Sequence, residues 1–163
     1  LLGITPQEPN TGYGYIEGAE ELYQLRQLLE TRLTREAAAR MSQSDLHYLK
    51  AINHDLLTAA RAGDRAACQE KNFRFHFRLY ELAGQPQTLD FARILWAKYP
   101  LDMLSQMPGR QPRVFDEHVA LLAALEIGDP GAAAQAMEAH IASGWAEFIG
   151  TYGTGLREPA GSG

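Results

Sequence analysis

The sequence predicts an all-α fold, an antiparallel bundle of about six helices, and three observations carry that prediction. Apolar residues recur at spacings of three and four through most of the chain. Most of the segments after the first begin at capping residues or prolines and end at glycines or prolines. The connections between them are short, which favours antiparallel neighbours packed round one core.

In chain order, Leu1 to Ile16 carries two prolines and an Asn10-Thr11-Gly12 turn signal without helical period, so residues 1–16 read as a linker or a short strand pair. From about Glu17 to Arg40, Leu22, Leu25, Leu29 and Leu33 form a stripe among good helix formers. Ser42 and Asp45 resemble a capping box, and Leu46, Leu49, Ile52, Leu56 and Ala60 continue a second helix to Gly63. Asp64 caps a third, ending near Gly84. Within it Phe73, Phe75, Phe77 and Leu79 alternate with polar residues as a strand would. Helix is nonetheless expected, because the capped segment is too long for one strand and no other segment could pair with it. Pro86 opens a fourth helix that Pro100 ends, and Ser105 to Pro112 reads as a loop. Val114 to Leu125 forms a fifth helix closed by Gly128, and Asp129-Pro130 opens a sixth that passes through Met137, His140, Gly144 and Phe148. The helical unit is expected over residues 17–150, followed by a Gly-rich flexible tail over 151–163.

Composition narrows the function classes. With 163 residues and 45% hydrophobic content the chain builds one core. A formal charge of −5 and no dense Lys/Arg run give it no nucleic-acid surface of its own. Its longest apolar run, Val119 to Leu125, is far short of the roughly 20 residues of a membrane-spanning helix. The single cysteine, Cys68, excludes an internal disulfide and fits a reducing, cytoplasmic setting.

The chemistry centres on histidines. Asn72 and His76 lie one helical turn apart and face the same way, and His118 and His140 share the apolar stripes of the two later helices. Each alone reads as an ordinary core histidine. Three in one core require partners to satisfy them, and imidazole nitrogens suit zinc, nickel, copper or iron. His47 and His54 have polar neighbours and face solvent. Arg26 falls inside the stripe of the first helix, where it either pairs with Glu30 one turn on or meets an anionic ligand. Trp96, Tyr99 and Trp145 read as core or dimer contacts.

The pattern N-F-R-F-H at Asn72 to His76, D-E-H at Asp116 to His118, GDPGAAAQAMEAHI from Gly128 to Ile141, and the helix Glu21 to Arg40 resemble the ligand-sensing FCD domain of FadR-branch GntR-type bacterial transcription regulators. The resemblance covers roughly Glu20 to Ile149. It implies a helical bundle that binds a divalent metal, zinc or another transition metal, through Asn72, His76, His118 and His140. It also implies a small carboxylate effector met by Arg26, and a homodimer. Position 72 departs from the family's Asp. The family reaches operator DNA through an N-terminal winged helix-turn-helix domain that these residues do not contain, and Thr11 to Ile16 is similar to the end of its wing strand. The expected function is therefore effector sensing and dimerisation without catalytic residues. A three-histidine hydrolase is the alternative, with Asp116 and Glu117 as the nearest candidate bases.

Overall fold

The computed structural model describes residues 11–153 and contains only helices among them. Six are long: α1 (Thr11–Ala38), α2 (Gln43–Ala62), α3 (Arg65–Glu81), α4 (Pro86–Lys98), α6 (Arg110–Ile127) and α7 (Pro130–Tyr152). A five-residue segment, α5 (Leu101–Ser105), lies between α4 and α6. The predicted termini follow local chemistry. Ser42 and Asp45 form a reciprocal capping box, Asp64 caps α3 through Ala67 N, and Asp129 caps α7 through Gly131 N and Ala132 N. Gly63 and Gly128 close α2 and α6 in left-handed conformation. The Phe-rich stretch with strand-like alternation is helical, inside α3.

Two expectations are corrected. Thr11 to Ile16, read as linker or strand, is the first part of α1; residues 1–10 and most of the expected tail, 154–163, lie outside the described residues. The predicted loop from Ser105 to Pro112 is shorter, because α6 begins at Arg110. Gly109, at φ 72°, turns the chain directly into that helix. Pro112 then falls in the first turn, where the amide it lacks would have no intrahelical partner.

α1 packs along α7 and α4, α2 along α3 and α6, and α6 along α7. Leu33, Leu49, Phe75, Leu79, Leu121 and Met137 fill the main core, each fully buried. Burying such side chains stabilises by about 1.5–3 kcal/mol apiece before conformational entropy is counted. A smaller cluster of Ala19, Tyr99, Leu104, Met107 and Phe148 gathers around α5. Where the two clusters meet, Trp96 and Ile141 from one and Tyr99 and Leu104 from the other line a cavity of about 260 Å³. None of the described helices is long and apolar enough to cross a membrane.

Candidate metal centre and effector cavity

Three helices deliver His76, His118 and His140 to one point, as their stripes predict. The Nε2 atoms of His76 and His118 are 3.2 Å apart and those of His76 and His140 are 3.1 Å apart. Candidate ligand atoms of all three lie within 4.8 Å of one another, and all three residues are buried. Phe75 stacks on His118 at 4.0 Å between centroids and Trp96 sits 5.0 Å from His76, so the rings are held by packing as well as by polar bonds.

The partners on the far side of each ring determine where its proton sits. His118 Nδ1 faces the Asn53 carboxamide oxygen at 3.1 Å, an acceptor only, so Nδ1 carries the hydrogen. Asn53 is fixed in that orientation by donating its amide to the Phe115 carbonyl. His140 Nδ1 lies 2.7 Å from Glu117 Oε2, again an acceptor. His76 Nδ1 lies 2.9 Å from the Tyr80 hydroxyl, whose own proton goes to Glu30 Oε2 at 2.5 Å, so Tyr80 accepts from His76. Burial holds the Tyr80 phenol well above its ordinary range, with the Glu30 charge adding to the effect, and the phenol keeps its proton.

All three Nε2 atoms are therefore bare lone pairs turned on one another. They cannot hydrogen-bond among themselves, and protonation would not relieve them easily. Burial pushes His76 and His118 well below the usual imidazole value, with the neighbouring imidazoles adding to it. Burial also lowers His140, against the opposing pull of Glu117. This donor set fits a transition-metal ion. Three tetrahedral zinc ligands at about 2.0–2.1 Å would stand roughly 3.3 Å apart, close to the observed separations, and an oxygen acceptor behind each ring, as here, is what orients ligating histidines.

The cavity adjoins this centre: His140 and Asn72 both line it. The Asn72 Oδ1, the Trp96 Nε1 and the Tyr99 hydroxyl are buried without a hydrogen-bond partner, and all three residues face the cavity. Such concentration of unsatisfied groups marks a place built for a polar guest. Arg26 is buried at the same cavity and makes the first of the two contacts that the sequence left open, the pair with Glu30, while lining the space where the second would be made. Its Nε and Nη2 bond the two Glu30 oxygens at 2.6 and 3.2 Å, while its guanidinium lies 5.0 Å from the Trp96 ring and 4.7 Å from that of Tyr99. Burial works against the Arg26 charge, but Glu30 outweighs it and raises the group further. Trp96 and Tyr99 are thus cavity walls as well as core residues. Tyr23 stacks on Trp145 at 4.9 Å. His47 and His54 are exposed, as their neighbours predict.

Several site residues escape sequence reasoning. Tyr80 stands four after His76, a spacing that could have revealed it, and Asn53 shares the buried face of α2 with Leu49, Ile52 and Leu56. Glu117 is a partner of His140 rather than one of many carboxylates at a helix start. Burial pushes it up, but the bonds from His140, Ser143 and Arg110 hold it below the ordinary carboxyl range. Arg110 falls in the predicted loop and carries no periodic signal. It is buried, lines the cavity, and donates Nη1 to Glu117, Ser143 and Glu147 at 3.1–3.2 Å.

The comparisons with known proteins agree with this architecture. The FCD domain profile matches residues 21–143. Among solved structures, the Escherichia coli protein McbR/YncC is similar over 82% of this chain and 68% of its own, at 21% identity and a TM-score of 0.75. A Streptococcus agalactiae GntR protein is similar over 77% of this chain and 56% of its own, at 26% identity and a TM-score of 0.64. No curated protein sequence matches the chain. The chain belongs to the FCD domain family, the all-helical effector-binding regulatory domain of GntR-type regulators.

Proposed function

We propose that the domain senses a small organic acid with the help of a divalent metal ion, zinc being the best fit, and passes the signal to DNA through a homodimer. His76, His118 and His140 hold the ion, Asn72 supplies a neutral oxygen, and Arg26 meets a carboxylate of the effector. The observation that carries this reading is the three Nε2 lone pairs facing one another without a proton between them. An ion there supplies positive charge beside the cavity, and an anionic guest completes its surroundings.

Asn72 and Arg26 both line the cavity next to the histidines, which supports their roles. Dimerisation is supported by exposed apolar side chains on the adjoining helices α1 and α4, Leu25, Leu28, Phe91 and Ile94. A two-fold dimer would set the spacing of winged helix-turn-helix domains on an operator in the cytoplasm. The alternative, a three-histidine hydrolase, has less support, since both oxygens of Glu117 are engaged and Asp116 is exposed.

The test is to strip the protein with a chelator and titrate zinc, then screen small acids by thermal shift. Acid-dependent stabilisation that requires zinc and is lost in Arg26→Ala is expected, without turnover of ester or amide substrates. Zinc-dependent hydrolysis with no response to any acid would overturn the reading. Sedimentation at micromolar concentration should show a dimer.

A further inference from the structure

We infer that the cavity reads two carboxylates rather than one, with Arg110 as the second anchor, so that the effector class is a small dicarboxylic acid. This rests on the acid-sensing reading above. Arg26 and Arg110 reach the cavity from different helices, α1 and α6, and each is buried yet charged. The Arg110 guanidinium is divided in function. Nη1 is committed to Glu117, Ser143 and Glu147, whereas Nη2 and Nε have no protein acceptor among the described residues.

Nη2 lies against α7 at Gly144, itself a cavity residue, where a Cβ would stand 3.3 Å from that nitrogen. A glycine in the middle of a 23-residue helix costs helix stability. Here it leaves room for the guanidinium to reach the cavity. A buried donor with its other hydrogen bonds fixed is the arrangement that orients a carboxylate.

Charge balance points the same way. Arg26 is offset by Glu30, and Arg110 with Arg113 is offset by Glu117 with Glu147. Three imidazoles ligating as neutral bases and a neutral Asn72 leave both charges of a divalent ion uncompensated. The acid at the rim, Asp102, is exposed and bonded to Gln69. A monocarboxylate would cancel one charge of the ion and a dicarboxylate would cancel both. The cavity volume of about 260 Å³ sits at the small end of ligand sites, which favours an acid of a few carbons over a long acyl chain.

The test uses the zinc-loaded chain and calorimetry with matched acids: malonate, succinate and glutarate against propionate, butyrate and valerate. The tightest dicarboxylate is expected to exceed its monocarboxylate counterpart by roughly 10- to 100-fold, the worth of one charge-assisted hydrogen-bonded contact. Arg110→Gln should bring the dicarboxylate down to the affinity that the same variant shows for the monocarboxylate. Because Arg110 also neutralises two carboxylates, Gly144→Ala provides a second variant that keeps every charge and crowds Nη2 most closely, with Leu104 at ordinary contact distance. It should weaken the dicarboxylate several-fold and spare the monocarboxylate, and it decides alone if Arg110→Gln does not fold. Equal affinity of the two acid classes, or equal weakening of both by Gly144→Ala, would overturn the second anchor while leaving acid sensing intact. Binding of zinc with no response to any of the six acids would overturn the acid-sensing reading and this inference with it.

Discussion

His76 and His140 meet at one point but are supported in opposite ways. Behind His76 runs a buried chain, Tyr80 to Glu30 to Arg26, in which one anion and one cation are packed away from bulk water, a sealed side that meets solvent only where Arg26 borders the cavity. Behind His140 lies a network that opens outward, Glu117 to Arg110 to Glu147, and from there to the exposed Arg113. The sealed side cannot exchange a lost partner for solvent, so it fixes geometry. The open side can rearrange at modest cost, so it can tune the ion and answer to what enters the cavity.

The largest effect expected from this contrast is on the sealed side. Glu30→Ala strands the buried Arg26 charge and should destabilise the fold by about 3–5 kcal/mol in urea unfolding. A loss under 1 kcal/mol would mean that water reaches Arg26 freely. On the open side Glu117→Gln should leave the fold nearly intact but lower zinc affinity by roughly 10- to 100-fold, read by competition with a chelating dye. If it unfolds the protein instead, the two sides are not distinct.

Asn72→Asp adds a charge beside the centre and should tighten zinc by about tenfold or more, while reducing the extra tightening that an acid confers. Unchanged zinc affinity with the fold intact would remove Asn72 from the ion's surroundings.

Acid should act on the metal-free protein through the histidines. Burial holds His76 and His118 well below 6.5 in the folded state, so below that pH the unfolded chain binds more protons than the folded one. Stability should therefore fall as pH drops through about 6.5 in chelator, and bound zinc should blunt the fall at its onset. A flat thermal stability between roughly pH 7.5 and 5.5 would show that the imidazoles are less buried than their packing implies. Arg113→Ala should matter least. It removes an exposed partner of Glu147 while Arg110 remains, and costs about 0.2–1 kcal/mol with zinc affinity within roughly twofold.

Much of this molecule is legible in one dimension. Ser42, Asp64 and Asp129 cap helices through amides no more than three residues away, and a stripe repeats within its own helix, so neither needs a partner far along the chain. The stripes carrying His76, His118 and His140 belong to this class, because one shared core turns three inward faces toward each other. So does the Arg26 and Glu30 pair, one turn apart. The motif resemblance added the family, which composition and periodicity alone do not name.

The tertiary structure decided the rest. Nothing along the chain tells that Asn53 on α2 will lock His118, or that Glu117 rather than Asp116 will meet His140 from the next helix. Arg110 lies still further from view, since it follows a Pro-Gly turn and finds Ser143, Gly144 and Glu147 only when α6 and α7 pack. By itself the sequence determined the helices, their inward faces and the number of imidazoles in the core, all set by local hydrogen bonding and the 3.6-residue period. Which nitrogen of His118 and of His140 carries the proton, and how Arg110 is held by Ser143 and Glu147, depend on contacts between residues 23 to 65 positions apart, and only the packed bundle brings these together.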